Sequence, residues 1–108
     1  MSILREQIFA YLRQIPHGKV VTYGQIGAHL GNRHLARAVG NLLHTNPDPF
    51  YYPCYKVVSA AGALTDNYPF GGIRGQQKLL EAEGIAVING RVDLATCQWQ
   101  EDQPKSVI

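Results

Sequence analysis

A cysteine stands between a proline and a tyrosine in "FYYPCYKVV", Phe50 to Val58, where an aromatic run passes into a short apolar strand. A thiol placed so can pack in a core, form half of a disulfide, bind a metal or act as a nucleophile. The reactive species is the thiolate, and a free cysteine of pKa about 8.5 is only weakly ionised at neutral pH. Reactivity at Cys54 therefore calls for a base or a positive dipole close by. Of the four histidines, His17, His29, His34 and His44, the last is nearest in sequence, and the bend "NPDP" separates it from the thiol. A peptidase-type Cys/His pair stays open, but nothing in the spacing favours it. Cys54 and Cys97, the two cysteines of the chain, match no zinc-ligand spacing, and no ligand cluster implies a metal or any other cofactor.

The start, "MSILREQIFAYLRQI", carries Arg5, Glu6 and Arg13 and does not read as a signal peptide. No run of about 18 apolar residues reads as a membrane span. The expected compartment is the cytoplasm, where reducing conditions disfavour a structural disulfide. Net charge is +2 over 108 residues. Residues 1–80 hold eight Lys/Arg against three Asp/Glu, and residues 81–108 hold two against five. A basic body with an acidic end permits a polyanionic partner without requiring one.

The elements that must position Cys54 follow from periodicity. With 45% hydrophobic residues, the length suits one domain with one core, expected over residues 1–100, with 101–108 as a flexible tail. Leu4, Ile8, Tyr11, Leu12 and Ile15 predict a first helix from about Ile3 to Ile15, stopped by Pro16 and Gly18. "KVVTY" is β-prone, and Thr22 begins a Thr-x-x-Gln capping box for a second helix to Leu30. After the break "GNR", a third helix is expected from His34 to Thr45. Two short helices across a tight, Gly-containing turn outline a helix-turn-helix. Leu35, Val39, Leu42 and Leu43 make one face of the third helix apolar, while Arg33, Arg37, Asn41 and His44 fall opposite. Gly40, beside that polar face, leaves room for a close approach. A solvated helix surface gives the same pattern, so the pattern alone leaves both readings open. "IRGQQKLLEAEG" predicts a last helix with Gly84 at its end, and "IAVINGRVDL" predicts a hairpin turning at Asn89-Gly90.

"TYGQIG", "ARAVGNLLHTNPDPFYYPCYKVV", "GALTDNYPFGG" and "KLLEAEG" follow one another at nearly unbroken spacing. This order resembles the DNA-binding catalytic domain of the alkylguanine-DNA alkyltransferases (methylated-DNA–protein-cysteine methyltransferases) and of the related alkyltransferase-like proteins, over roughly Ile3 to Ile88. The resemblance implies a mostly α fold with a small β-hairpin, a winged helix-turn-helix-like alkyltransferase catalytic domain. It implies double-stranded DNA containing alkylated guanine as the partner, other repair proteins as further partners, no membrane, no cofactor and a monomeric state. Cys54 takes the place of the alkyl acceptor, Glu83 that of a buried relay carboxylate, and Tyr68 that of a proton donor near the lesion oxygen. Tyr23 matches the tyrosine that crowds the target phosphate, and Arg37 the finger that enters the base stack from the minor groove. Arg33, Gly40, Asn41 and Lys56 fall in the expected DNA-binding set. Asn46 is the hinge, and Val57 and Val58 the backbone edge offered to a flipped guanine. Around Tyr68 the spacing departs from the family, with two extra residues before the Gly-Gly pair.

Flipping is required physically, because an alkyl group on a stacked guanine is out of reach of a thiol. The family consensus is Pro-Cys-His-Arg-Val, and here Tyr55 stands where the histidine would pass the thiol proton toward the glutamate. A phenol of pKa about 10 is a poor acceptor at neutral pH, so the relay Cys54–base–Glu83 lacks its middle member. Lys56 replaces the arginine and loses its planar fork. Three functions follow as expectations: single-turnover alkyl transfer to Cys54 with weakened activation, a non-enzymatic sensor that flips and flags the lesion, or a small helix-turn-helix regulator. Alkyltransferase-like sensors typically carry tryptophan at the cysteine position, and this chain keeps the cysteine.

Overall fold

Helix α1, Ile3–Leu12, forms on the apolar spacing noted above and buries Ile8, Phe9, Tyr11 and Leu12. It stops before the expected Ile15, because the chain tightens into a turn with Gln14 and Ile15 N–H groups donating to Tyr11 and Leu12 carbonyls. The computed structural model describes residues 3–100, so the tail expected at 101–108 lies outside the described residues.

Strand β1, Val21–Thr22, leads into α2, Tyr23–His29. Thr22 and Gln25 make the reciprocal capping box, each side chain accepting from the other's backbone N–H. The turn that follows closes tightly: a Cβ on Gly27 would lie 2.8 Å from the Asn32 carbonyl oxygen. Only glycine allows that approach, and the helix-turn-helix geometry depends on it. The expected third helix begins instead as a 3-10 turn, Arg33–Leu35, opened by the Asn32 side chain on the His34 N–H. It continues as α3, Ala36–Leu43. Val39 and Leu43 are buried, with Leu35 and Leu42 packed against the core.

A second 3-10 turn, Cys54–Lys56, delivers the chain into β2, Val57–Val58. The sheet is a parallel pair, with Val21 opposite Val57 and Thr22 opposite Val58, not the expected hairpin. The hairpin sequence does turn, since Asn89 and Gly90 both take positive φ and Ile88 and Arg91 exchange N–H···O bonds. Its second arm then pairs with the loop at Gly62–Leu64, through Leu64 N–H to Gly90 and Val92 N–H to Gly62. The two arms diverge after one pair, leaving a wing rather than a ladder. Helix α4, Gly72–Ala82, packs Leu80 and Gln76 inward. A short α5, Leu94–Cys97, was not foreseen. Beyond it, Val20 exchanges backbone bonds with Cys97 and Trp99, closing the C-terminal segment over β1. No helix among the described residues is long and apolar enough to cross a membrane.

Candidate functional site

Cys54 lines a narrow recess of about 20 Å³ between α3, the cysteine segment and the loop before α4, with Tyr23, Gly40, His44 and Tyr68 around it. Outside it lies a cleft of about 380 Å³, lined by residues including Tyr23, Gly40, Asn41, His44, Ser59 and Asn67. The two share Tyr23, Gly40, His44, Thr65 and Asn67, so the recess opens into the cleft. The outer volume lies within the range of small-molecule sites. The inner one suits a water or a methyl group.

Asn46 places the thiol. Buried just past α3, it donates through Nδ2 to the Tyr52 carbonyl at 2.7 Å and to Cys54 Sγ at 2.9 Å. Its Oδ1 accepts from Asp48 N–H, and Asp48 in turn caps Phe50 and Tyr51 N–H groups. From the other side, Arg5 of α1 binds the Thr45 hydroxyl and carbonyl. The residue expected as hinge thus touches both the helix end and the Cys54 sulfur. Burial raises the thiol above its ordinary value, against the opposing pull of Asn46, Tyr68 and the backbone. Tyr68 is buried beside the thiol, close enough for its hydroxyl to oppose the rise in the thiol's pKa. Burial first, then the sulfur, keep this phenol protonated far beyond neutral pH. Tyr23 is raised by the same two causes in the same order.

The next two residues turn away from the recess. The Tyr55 hydroxyl donates to Glu83 Oε2. Burial and that carboxylate push its own pKa up, so it serves as a donor and not as a base. Glu83 Oε1 accepts from Gly18 N–H at 2.9 Å and from Lys56 Nζ at 3.0 Å. Burial would raise the Glu83 carboxyl, but the bonds from Tyr55, Gly18 and Lys56 outweigh it and hold it below 4.5. Lys56 is 2% exposed and also donates to the Ile15 and Pro16 carbonyls. This corrects its expected place on DNA: the ammonium is enclosed in a polar knot joining the end of α1, the cysteine segment and the end of α4.

Val57 and Val58 also differ from expectation. Both are buried in the parallel pair, neither lines the recess or the cleft, and the Val57 carbonyl accepts from Gln76. Gln76 itself was missed. Fully buried on α4, its amide donates to the Tyr55 and Val57 carbonyls at 3.0 and 3.1 Å, while its oxygen accepts from Thr65 N–H. Its signal was an amide at helical spacing between Ile73 and Leu80, on the inward stripe. A buried amide there must have every group satisfied, which implies backbone to hold. Ser59, Thr65 and Asn67 of the cleft lie on loops whose path no periodicity reveals.

Arg33, Arg37, Asn41 and His44 are exposed along the 3-10 turn and α3. Asn41 and His44 line the cleft, and Arg37 stands one turn before Asn41, outside the lining. Gly40 lies over the Tyr23 ring, where a Cβ would meet ring carbons at 3.8 Å, an ordinary contact. The fold itself does not need glycine at 40, so the open space serves the cleft.

Residues 4–85 match the family model described as 6-O-methylguanine DNA methyltransferase, DNA binding domain. The chain belongs to this family. The human methylated-DNA–protein-cysteine methyltransferase is 39% identical over 83 residues, 77% of this chain and 39% of that protein. A bifunctional methyltransferase/endonuclease of Thermoplasma volcanium is 38% identical over 79% of this chain, which spans 26% of it. A Vibrio parahaemolyticus DNA base-flipping protein is 38% identical over 87% of this chain and 93% of its own length. Thus this chain spans only a part of the methyltransferases it matches but nearly all of the base-flipping relative. Among solved structures, S. pombe Atl1 bound to damaged DNA containing O6-carboxymethylguanine superposes with a TM-score of 0.84 over 94% of this chain and 98% of that one. At 24% identity that likeness concerns the fold. Mycobacterium tuberculosis OGT in complex with DNA gives 0.71 at 33% identity, over 78% of this chain and 50% of that one.

Proposed function

We propose that this domain binds duplex DNA carrying an O-alkylated guanine, turns the damaged nucleotide into the cleft and accepts its alkyl group on Cys54 Sγ. The observation that carries this reading is the placement of Cys54, which lines a methyl-sized recess under a base-sized cleft with the Asn46 amide on its sulfur. The exposed face of α3 approaches the minor groove, Arg37 fills the gap left in the stack, and Tyr23 crowds the phosphate so that the nucleotide rotates outward. Flipping costs a few kcal/mol, and a mispaired lesion lowers that cost. The Asn46 N–H stabilises charge on sulfur as the S–C bond forms and the C–O bond breaks. Tyr68, held protonated, gives the departing guanine its proton. The product is a thioether, so each molecule turns over once.

A second reading is a sensor that flips the lesion and flags it for other repair proteins. It is favoured by the burial that raises the Cys54 thiol, by the commitment of the Tyr55 hydroxyl to Glu83, and by the near full-length match to a base-flipping protein. Intact-mass measurement after incubation with a methylguanine duplex separates the two. The transfer reading expects a gain of one methylene, absent in Cys54→Ser. Tight, lesion-selective binding with no mass gain would overturn transfer and leave the sensor.

A further inference from the structure

We propose that His44 is the proton acceptor for Cys54, supplied from the end of α3 in place of the base that position 55 does not provide; this rests on the reading of Cys54 as the alkyl acceptor. His44 and Cys54 line the same recess. Its volume of about 20 Å³ holds one water, and a base can act across one water. His44 also lines the outer cleft and is exposed, so it stands where the recess meets solvent. It caps the C-terminus of α3, its backbone N–H on the Leu42 carbonyl. Positive charge is favoured at that end of a helix.

The other groups around the recess do not serve. From α2 comes Tyr23 and from the loop before α4 comes Tyr68, both phenols held protonated by burial and then by the sulfur. From α4 comes the neutral amide of Gln76. Among the described residues, no Asp, Glu, Lys or Arg lines the recess or the cleft. Of the charges near His44 in the chain, Arg5 is bonded to Thr45, and Asp48 accepts from Phe50 and Tyr51 N–H groups. Asn46 offers the sulfur a donor, not a lone pair. Among the described residues, His44 is the one side chain lining the recess that offers a nitrogen lone pair as proton acceptor.

The step balances. Before the alkyl group enters the recess, the Sγ–H proton passes through the water to the imidazole. The alkyl group then displaces the water, sulfur bonds to its carbon, and the C–O bond electrons leave with the guanine. Tyr68 protonates the guanine, and the imidazolium returns a proton to the phenolate. The net result moves one proton from thiol to guanine and the alkyl group to sulfur.

The test is the pH dependence of Cys54 modification by iodoacetamide in the full chain, with peptide masses separating Cys54 from Cys97. The wild-type profile should show an inflection that His44→Gln lacks. The variant should react about a hundredfold more slowly at pH 7 and converge with the wild type as the pH nears 10. Superimposable profiles, or a slower variant with an unchanged profile, would overturn the assignment. Methyl transfer from a methylguanine duplex to wild-type protein is followed in parallel. Its absence sinks the acceptor reading, whereas its presence with an unchanged His44→Gln profile sinks His44 alone.

Discussion

Cys54 and Tyr55 are neighbours in the chain, and the two sides of the segment they share use polar groups in opposite ways. On the side of Cys54, no Asp, Glu, Lys or Arg lines the recess or the cleft among the described residues, and the α3 cations stand exposed. On the side of Tyr55, Glu83 collects a phenol, an ammonium and a backbone N–H, and Lys56 adds two carbonyls. Buried charges so fully matched act on stability and register, while groups left open await a ligand. The polar residues flanking the thiol form a knot that holds the segment, and the chemistry faces the other way.

Mutations break this contrast in a graded order. Glu83→Gln should have the largest effect, about 3 kcal/mol of stability lost in urea denaturation, because Lys56 is left buried with its countercharge removed. The acid limb should change with it. The folded pKa of Glu83 lies below 4.5, so its contribution is complete above the unfolded value and fades as the pH falls through the folded one. Wild-type stability should therefore drop more steeply below about pH 4.5 than that of Glu83→Gln. An equally steep fall in both would show the knot to be unimportant. Tyr55→Phe should cost about 2 kcal/mol, the scale of a hydrogen bond to a charged group, measured by the same unfolding curves.

On the open side the effects move from stability to binding. Arg37→Ala should bind a methylguanine duplex about tenfold more weakly, some 1.4 kcal/mol, with stability unchanged within about 0.5 kcal/mol. Fluorescence anisotropy and thermal melting read the two quantities, and an unaltered affinity would remove Arg37 from the interface. Gly40→Ala should be the mildest. The added methyl has room against Tyr23 and should stabilise the helix by about 0.5 kcal/mol. Any weakening of duplex binding by this variant measures how closely DNA approaches α3.

The sequence revealed the helical frame because its signals are local. The capping box at Thr22 and Gln25, the apolar face of α3 and the Asn89-Gly90 turn each read within a few residues. Cys54, Tyr23, Asn46 and the α3 face were likewise visible, in part through the family pattern. What stayed hidden depends on contacts distant in sequence. The parallel pairing of Val21 with Val57 needs a crossover that no periodicity specifies. Lys56 reads as a DNA contact through the family resemblance until its chain is traced inward to Glu83. The partners of Gln76, the Tyr55 and Val57 carbonyls, lie some twenty residues earlier, where no local pattern points. His44 seemed cut off from the thiol by the "NPDP" bend, yet that bend folds it back to the recess wall.

The most direct test of the division between knot and reactive face is the single-turnover rate of methyl transfer from a methylguanine duplex to Cys54 in wild type and Tyr55→Phe, below the melting range of both. With Tyr55 and Glu83 serving structure, the rates should agree within about threefold while the stability falls. A loss of about a hundredfold in a folded Tyr55→Phe, the scale of lost proton-transfer catalysis, would mean that the phenol and Glu83 carry the thiol's proton after all.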